Sequence, residues 1–120
     1  MNIQVIETPG KYIACRSAET PLRTEQDAAD LIGACYGNDT WLLMLHAEAL
    51  SEDFFQLRTG LAGGVLQKLT NYRIRTALVI PDELASQGRF KEWVAETNQG
   101  SQLRVFPNAS DAENWLLQSD

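Results

Sequence analysis

Trp41-Leu42-Leu43-Met44-Leu45-His46 is apolar without a break until its last residue. A run of that length and uniformity reads as a strand covered on both faces, which favours a parallel sheet. Ile74-Arg75-Thr76-Ala77-Leu78-Val79-Ile80, closed by Pro81-Asp82, is a second strand of the same kind. Parallel neighbours need a crossover, and the residues between them supply one. Leu61, Val65, Leu69 and Tyr72 recur at helical spacing, predicting a helix from about Gly60 to Tyr72.

Upstream, Ile3/Val5 within residues 3–7 and Ile13/Cys15 within 11–16 give the period-2 pattern of a half-buried hairpin joined by Thr8-Pro9-Gly10. After a loop through Thr20-Pro21, Thr24 and Asp27 form a T-x-x-D helix start. Ala28, Leu31, Ile32 and Cys35 then make one buried face, and Gly37-Asn38 ends the helix. Downstream, a helix over about 83–97, with a break at Gly88, carries Phe90, Trp93, Val94 and Thr97 on one face. Leu103–Phe106 is the last strand. Ser110 and Glu113 form an S-x-x-E box for a terminal helix that buries Ala112, Trp115 and Leu116. The element order is ββαβαβαβα. It predicts a single α/β domain over 1–120, with a five-stranded, mostly parallel sheet and an antiparallel N-terminal edge strand.

Composition narrows the function classes. Ten basic against sixteen acidic residues leave a net charge of −6. That disfavours nucleic acid, whose binding draws on many Lys and Arg, and equally a polybasic membrane surface. No apolar run approaches the roughly 20 residues of a spanning helix. Met1–Val5 does not resemble a signal peptide, so the expected location is cytoplasmic. Cys15 and Cys35 have no C-x-x-C spacing, and His46 is the only histidine. Reduced, buried thiols are expected, with no metal and no cofactor.

The candidate site is the turn before the second helix, Phe54-Phe55-Gln56-Leu57-Arg58-Thr59-Gly60-Leu61-Ala62-Gly63-Gly64. Thr59 stands where an N-cap belongs, able to accept from an amide that the first helical turn leaves free. Gly60, Gly63 and Gly64 clear side chains from that turn, so a chain or an anion could approach the positive helix pole closely. Alternatively, they let the helix pack tightly on the sheet. The segment has neither the GK[ST] of a P-loop nor an ordered G-x-G-x-x-G. From Asp53 to Asp82 no acid intervenes, whereas Arg58, Lys68, Arg73 and Arg75 make a basic island. His46 closes the central strand, with Glu48 nearby in the chain as a potential acid/base partner.

The strand Leu43-Met44-Leu45, a loop, and then Thr59-Gly60-Leu61 ahead of a helix resemble the strand–loop–[ST]-G-L segment of STAS domains, typified by bacterial anti-sigma factor antagonists. That resemblance implies a regulatory module with Thr59 as its phosphorylated hydroxyl. The chain departs from the pattern in having Leu57-Arg58 where those domains usually carry Asp. Phe54–Arg73, FFQLRTGLAGGVLQKLTNYR, is also similar to a signature of bacterial domain-of-unknown-function family 4180, as are Asp27–Ile32 and Ala112–Leu116. That likeness brings no activity with it.

The expected function is therefore a cytosolic, non-enzymatic regulatory module that binds a protein partner and is switched by phosphate or an anion at Thr59. Arg58, Gly60, Gly63, Gly64, His46 and Glu48 are its further candidate residues. A binder of small anions, or an enzyme using His46 and Glu48 at the same helix start, is the alternative. A structural homodimer is the third reading.

Overall fold

The computed structural model describes residues 3–7, 10–16 and 22–118. Five strands, β1 (Ile3–Glu7), β2 (Lys11–Cys15), β3 (Leu42–His46), β4 (Arg75–Val79) and β5 (Leu103–Phe106), form one sheet in chain order. β1 runs antiparallel to β2, from Ile3 opposite Cys15 to Glu7 opposite Lys11. The other three pairings are parallel. The Thr8-Pro9 half of the expected hairpin turn and the Thr20-Pro21 loop lie outside the described residues. Five helices accompany the strands: α1 (Glu25–Gly37), α2 (Leu61–Asn71), α3 (Asp82–Ala85), α4 (Gly88–Thr97) and α5 (Ala109–Leu116).

Because β2 to β5 are neighbours in order and each crossover has the same hand, the crossover helices fall on one face of the sheet. Ile13, Cys15, Leu43, Leu45 and Leu78 point to that face and meet Leu31 and Cys35 of α1, Val65 and Leu69 of α2, and Phe90 of α4. The alternate residues Tyr12, Ala14, Met44, Ala77 and Val79 point the other way and meet Ala112, Trp115 and Leu116 of α5. The period-2 alternation of a strand thus feeds two separate cores. Burial on both sides is why β3 is apolar up to His46 and β4 from Ala77 onward.

Local signals account for most of the element ends. Thr24 Oγ1 accepts from the Asp27 amide at 3.3 Å, and Asp27 Oδ2 accepts from the Thr24 amide at 3.2 Å, a complete capping box. Gly88, at φ +50° and opening α4, stands at the expected break, which divides the 83–97 stretch into α3 and α4. The terminal capping box is corrected. Asn108, not Ser110, caps α5 by accepting from the Asp111 amide at 2.8 Å. Glu113 is thereby released for a bond to Tyr12. Tyr72 is corrected as well: α2 stops at Asn71, and Tyr72 stands 48% exposed instead of completing the buried line. It joins Tyr36 and Trp41, 47% and 52% exposed, in a surface cluster with ring centroids 5.2 and 6.2 Å from Tyr36.

Candidate functional site

From His46 the chain leaves the sheet through three successive 3-10 turns, Ala47–Ala49, Glu52–Phe55 and Leu57–Thr59. Two devices hold this loop down. Leu22 pairs with it, its amide donating to Ala49 O at 2.7 Å while its carbonyl accepts from the Ser51 amide at 3.0 Å. Phe54 is buried and meets Trp93 edge-on at 6.0 Å; Phe55 meets Phe90 at 5.2 Å. Full burial of a ring such as Phe54 contributes roughly 1.5–3 kcal/mol, which adds to the bonds of the 3-10 turns in anchoring the loop.

Thr59 does not cap α2 in the expected way. It ends the third 3-10 turn, and Gly60 takes the cap position with φ +75°, a left-handed conformation in which a side chain is strained. The hydroxyl nevertheless reaches the helix start. Thr59 Oγ1 accepts from the Leu61 amide at 3.2 Å and directs its own hydrogen at Asp53 O (2.8 Å) and Gln56 O (2.9 Å). One exposed hydroxyl thus ties the end of the loop to its middle and to α2. Gly64's amide donates to Gly60 O. The Ala62 and Gly63 amides, also in the first turn, have no protein partner among the described residues.

Thr59 and Gly60 line a cleft of about 270 Å³ together with Arg23, Thr24, Glu25, Asp53 and Leu61. α1 and α2 lie side by side and both begin at this edge, so two helix N-termini converge on it. That convergence follows from the parallel crossovers, which start every helix where a strand ends. Arg23, Glu25 and Asp53 could have been placed here on that ground alone, although no motif marks them. The lining has two carboxylates and one guanidinium, so its net charge is negative.

The glycines are not there to let α2 press on the sheet. A Cβ at Gly63 would meet nothing within 4 Å, and the nearest atoms to one at Gly64 belong to the exposed Glu25 side chain, from 2.8 Å. Arg58 is exposed and has no ion-pair partner among the described residues, where the one pair within 4.0 Å is Lys11–Glu7 at 3.8 Å. The basic island does not form one surface. Arg73 lies beyond the far end of α2, and Arg75, at the start of β4, stacks on Trp115 with its guanidinium 4.2 Å from the ring.

His46 and Glu48 do not line the Thr59 cleft. Nε2 of His46 is buried with no hydrogen-bond partner among the described residues. Burial lowers its pKa below the ordinary 6.5, Arg16 pushes the same way, and Glu48 opposes. The thiols of Cys15 and Cys35 are buried and free, and burial raises both, Cys35 to about 11. Neither is a ready nucleophile. Among the described residues no group of three or more His, Cys, Asp or Glu could hold a metal ion, and no helix is long and apolar enough to cross a membrane.

A second cleft opens on the same rim. Phe55, Gln56 and Leu57 face Leu84, Gln87, Gly88, Arg89 and Phe90 across about 320 Å³. Its walls are the 3-10 loop and the break between α3 and α4.

No curated protein and no solved structure matches the chain. The sequence profile of a domain of unknown function, DUF4180, matches residues 7–116, which include part of β1 and every later element described above. The chain belongs to the DUF4180 family.

Proposed function

We propose that this protein is a non-enzymatic, STAS-like regulatory module of the cytoplasm. On this reading it docks a protein partner at the rim around Thr59, and phosphorylation of Thr59 switches that docking. The observation that carries the proposal is the double role of the Thr59 hydroxyl, which is exposed yet holds the loop closed through Asp53 O, Gln56 O and the Leu61 amide. A kinase would transfer the γ-phosphoryl group of a nucleoside triphosphate to Oγ1, with the hydroxyl proton passing to the kinase's base and the diphosphate leaving. Oγ1 would then have no hydrogen for either carbonyl. The added charge of about −1.5 to −2 would stand beside Glu25 and Asp53 and within reach of Arg23 and the free amides of α2. Breaking one set of bonds while offering another is what a loop switch requires.

Gly63 supports the docking half of the proposal. Glycine within a helix costs up to about 1 kcal/mol relative to alanine, the upper end applying to interiors and not to the first turn where Gly63 sits, and nothing inside the protein needs the space. A surface kept bare at that cost suits close approach from outside. A resident small anion suits the cleft less well, because Glu25 and Asp53 would repel it. The test combines intact-mass analysis of protein from its native cell with retention of partners by wild type, Thr59→Ala and Thr59→Glu. A phosphatase-sensitive mass increment at Thr59, with partners altered by Thr59→Glu, supports the switch. Unmodified protein whose partners ignore both substitutions rejects it.

A second reading, a homodimer, draws on the contact of Tyr36, Trp41 and Tyr72, three rings about half exposed at the opposite end of the sheet. Light scattering of wild type against Trp41→Ser decides it.

A further inference from the structure

The cleft between the 3-10 loop and the α3–α4 break differs in chemistry from the one beside Thr59. Its floor is apolar. Leu84 is 36% exposed, Leu57 and Phe55 are half-buried, and Phe90 beneath them stacks on Trp93 at 5.0 Å. Its mouth is polar, formed by Gln56, Gln87 and Arg89. Arg89 is the single charged residue of the lining, and no carboxylate faces it there. Arg58, next in the chain to Leu57, adds a second exposed guanidinium without an ion-pair partner among the described residues. At about 320 Å³ the space lies at the small end of ligand pockets. It suits one or two inserted side chains better than a whole cofactor. An apolar floor inside a polar rim is also the arrangement of a protein-docking hot spot.

We infer that this cleft docks an acidic segment of a partner protein, with one apolar side chain of the segment between Phe55, Leu57 and Leu84 and a flanking carboxylate on Arg89. The inference rests on the reading of the rim as a docking surface and names the partner's chemistry. Charge chooses the occupant. A basic segment would set its charge against Arg89, the one charge of the lining, whereas a carboxylate seated in the mouth can pair with it at contact range. The acids of α3, Asp82 and Glu83, are not part of the lining. Phe55, Gln56 and Leu57 lie between Asp53 and Thr59, inside the loop that the Thr59 hydroxyl ties. Release of that tie would move one wall of the cleft.

A random peptide library selected on the full chain tests this, with the enriched peptides titrated against wild type, Leu84→Ser, Arg89→Glu and Thr59→Glu. Leu84 and Arg89 are both exposed, so the two substitutions spare the core; melting curves check that. The expected result is enrichment of an aromatic or aliphatic residue flanked by Asp or Glu. Binding should weaken with salt and fall about tenfold or more in Leu84→Ser and in Arg89→Glu. Absence of such peptides, or binding indifferent to both substitutions, overturns the inference. So does self-association of the wild type that Leu84→Ser abolishes, which would give the cleft to a second copy. If acidic peptides fail while Thr59→Glu still changes the partners retained, this inference falls and the docking reading stands. If the peptides need Leu84 and Arg89 while Thr59→Glu alters nothing, the cleft stands and the switch falls.

Discussion

Tyr12 of β2 donates its phenolic hydrogen to Glu113 Oε2 of α5 across 2.6 Å, joining residues 101 apart in the chain. Burial chiefly, and then the Glu113 bond, push the Tyr12 pKa up from 10.0 to about 12. Tyr12→Phe leaves Glu113 half-buried without its donor and should cost about 1–3 kcal/mol in chemical denaturation. The pH dependence has a definite sign. A folded-state pKa above the unfolded one gives stability that is complete below pH 10.0 and is lost as pH rises toward about 12. Tyr12→Phe should flatten that alkaline slope. An unchanged slope would mean that the phenol does not titrate with unfolding.

The Thr59 tie can be tested apart from any partner. Thr59→Val keeps the shape and removes all three hydrogen bonds, so it should lose about 1 kcal/mol, whereas Thr59→Ser should stay near wild type. Hydrogen exchange should quicken over 52–61 in the valine variant alone. Equal stability of the two variants would show that the bonds contribute nothing net.

Two neighbouring glycines should answer alanine with opposite signs. Gly60→Ala forces a side chain into φ +75° and should destabilise by about 1–2 kcal/mol. Gly63→Ala meets open space and should stabilise by up to about 1 kcal/mol. Thermal melts of both variants decide this.

His46 should make the fold sensitive to mild acid. Its folded-state pKa lies below 6.5, so its neutral form supports the fold above that pH, and stability falls as pH drops through the folded value. His46→Leu, which removes the unpartnered Nε2, should abolish that acid loss without lowering stability at neutral pH. A persisting acid loss in the variant would place the titrating group elsewhere.

Cys15 and Cys35 should resist a thiol reagent in the native protein and react together on unfolding, because both are buried and both are held protonated. Rapid modification of either thiol under native conditions would contradict this burial.

The sheet could be read from the chain because each strand meets its helices in a separate stretch of alternation or continuous apolarity. The N-terminal hairpin is the exception. Ile13 and Cys15 read as the buried side of a half-buried strand, whereas Tyr12 and Ala14 opposite them are buried under α5, and Ile3 and Val5 stand 39% and 44% exposed. The Thr24 box and the Gly88 break were equally legible, since local bonds and a local dihedral decide them. Where tertiary contact decided, the pattern misled. Ser110–Glu113 and Asn108–Asp111 are both competent starts for a helix, and the Tyr12 bond removes Glu113 from the first. Tyr72 follows Leu69 at helical spacing, but the helix stops one residue earlier. At the candidate site the place of Thr59 beside the start of α2 could be inferred, but its bonding could not. Asp53 O and Gln56 O come to it through 3-10 turns that carry no periodic signal. The second cleft was hidden for a related reason. Its two walls come from loops about thirty residues apart, and a pocket between loops leaves no spacing in the sequence.

The helices of three crossovers share one side of the sheet, while the opposite side is left to the eight residues of α5. Because α5 follows the last strand, a growing chain can complete its strands while Met44, Ala77 and Val79 still face water. Substitutions that loosen α5 therefore endanger solubility before they touch activity. Their first symptom should be clumping of newly made protein, a hazard for chaperones to manage.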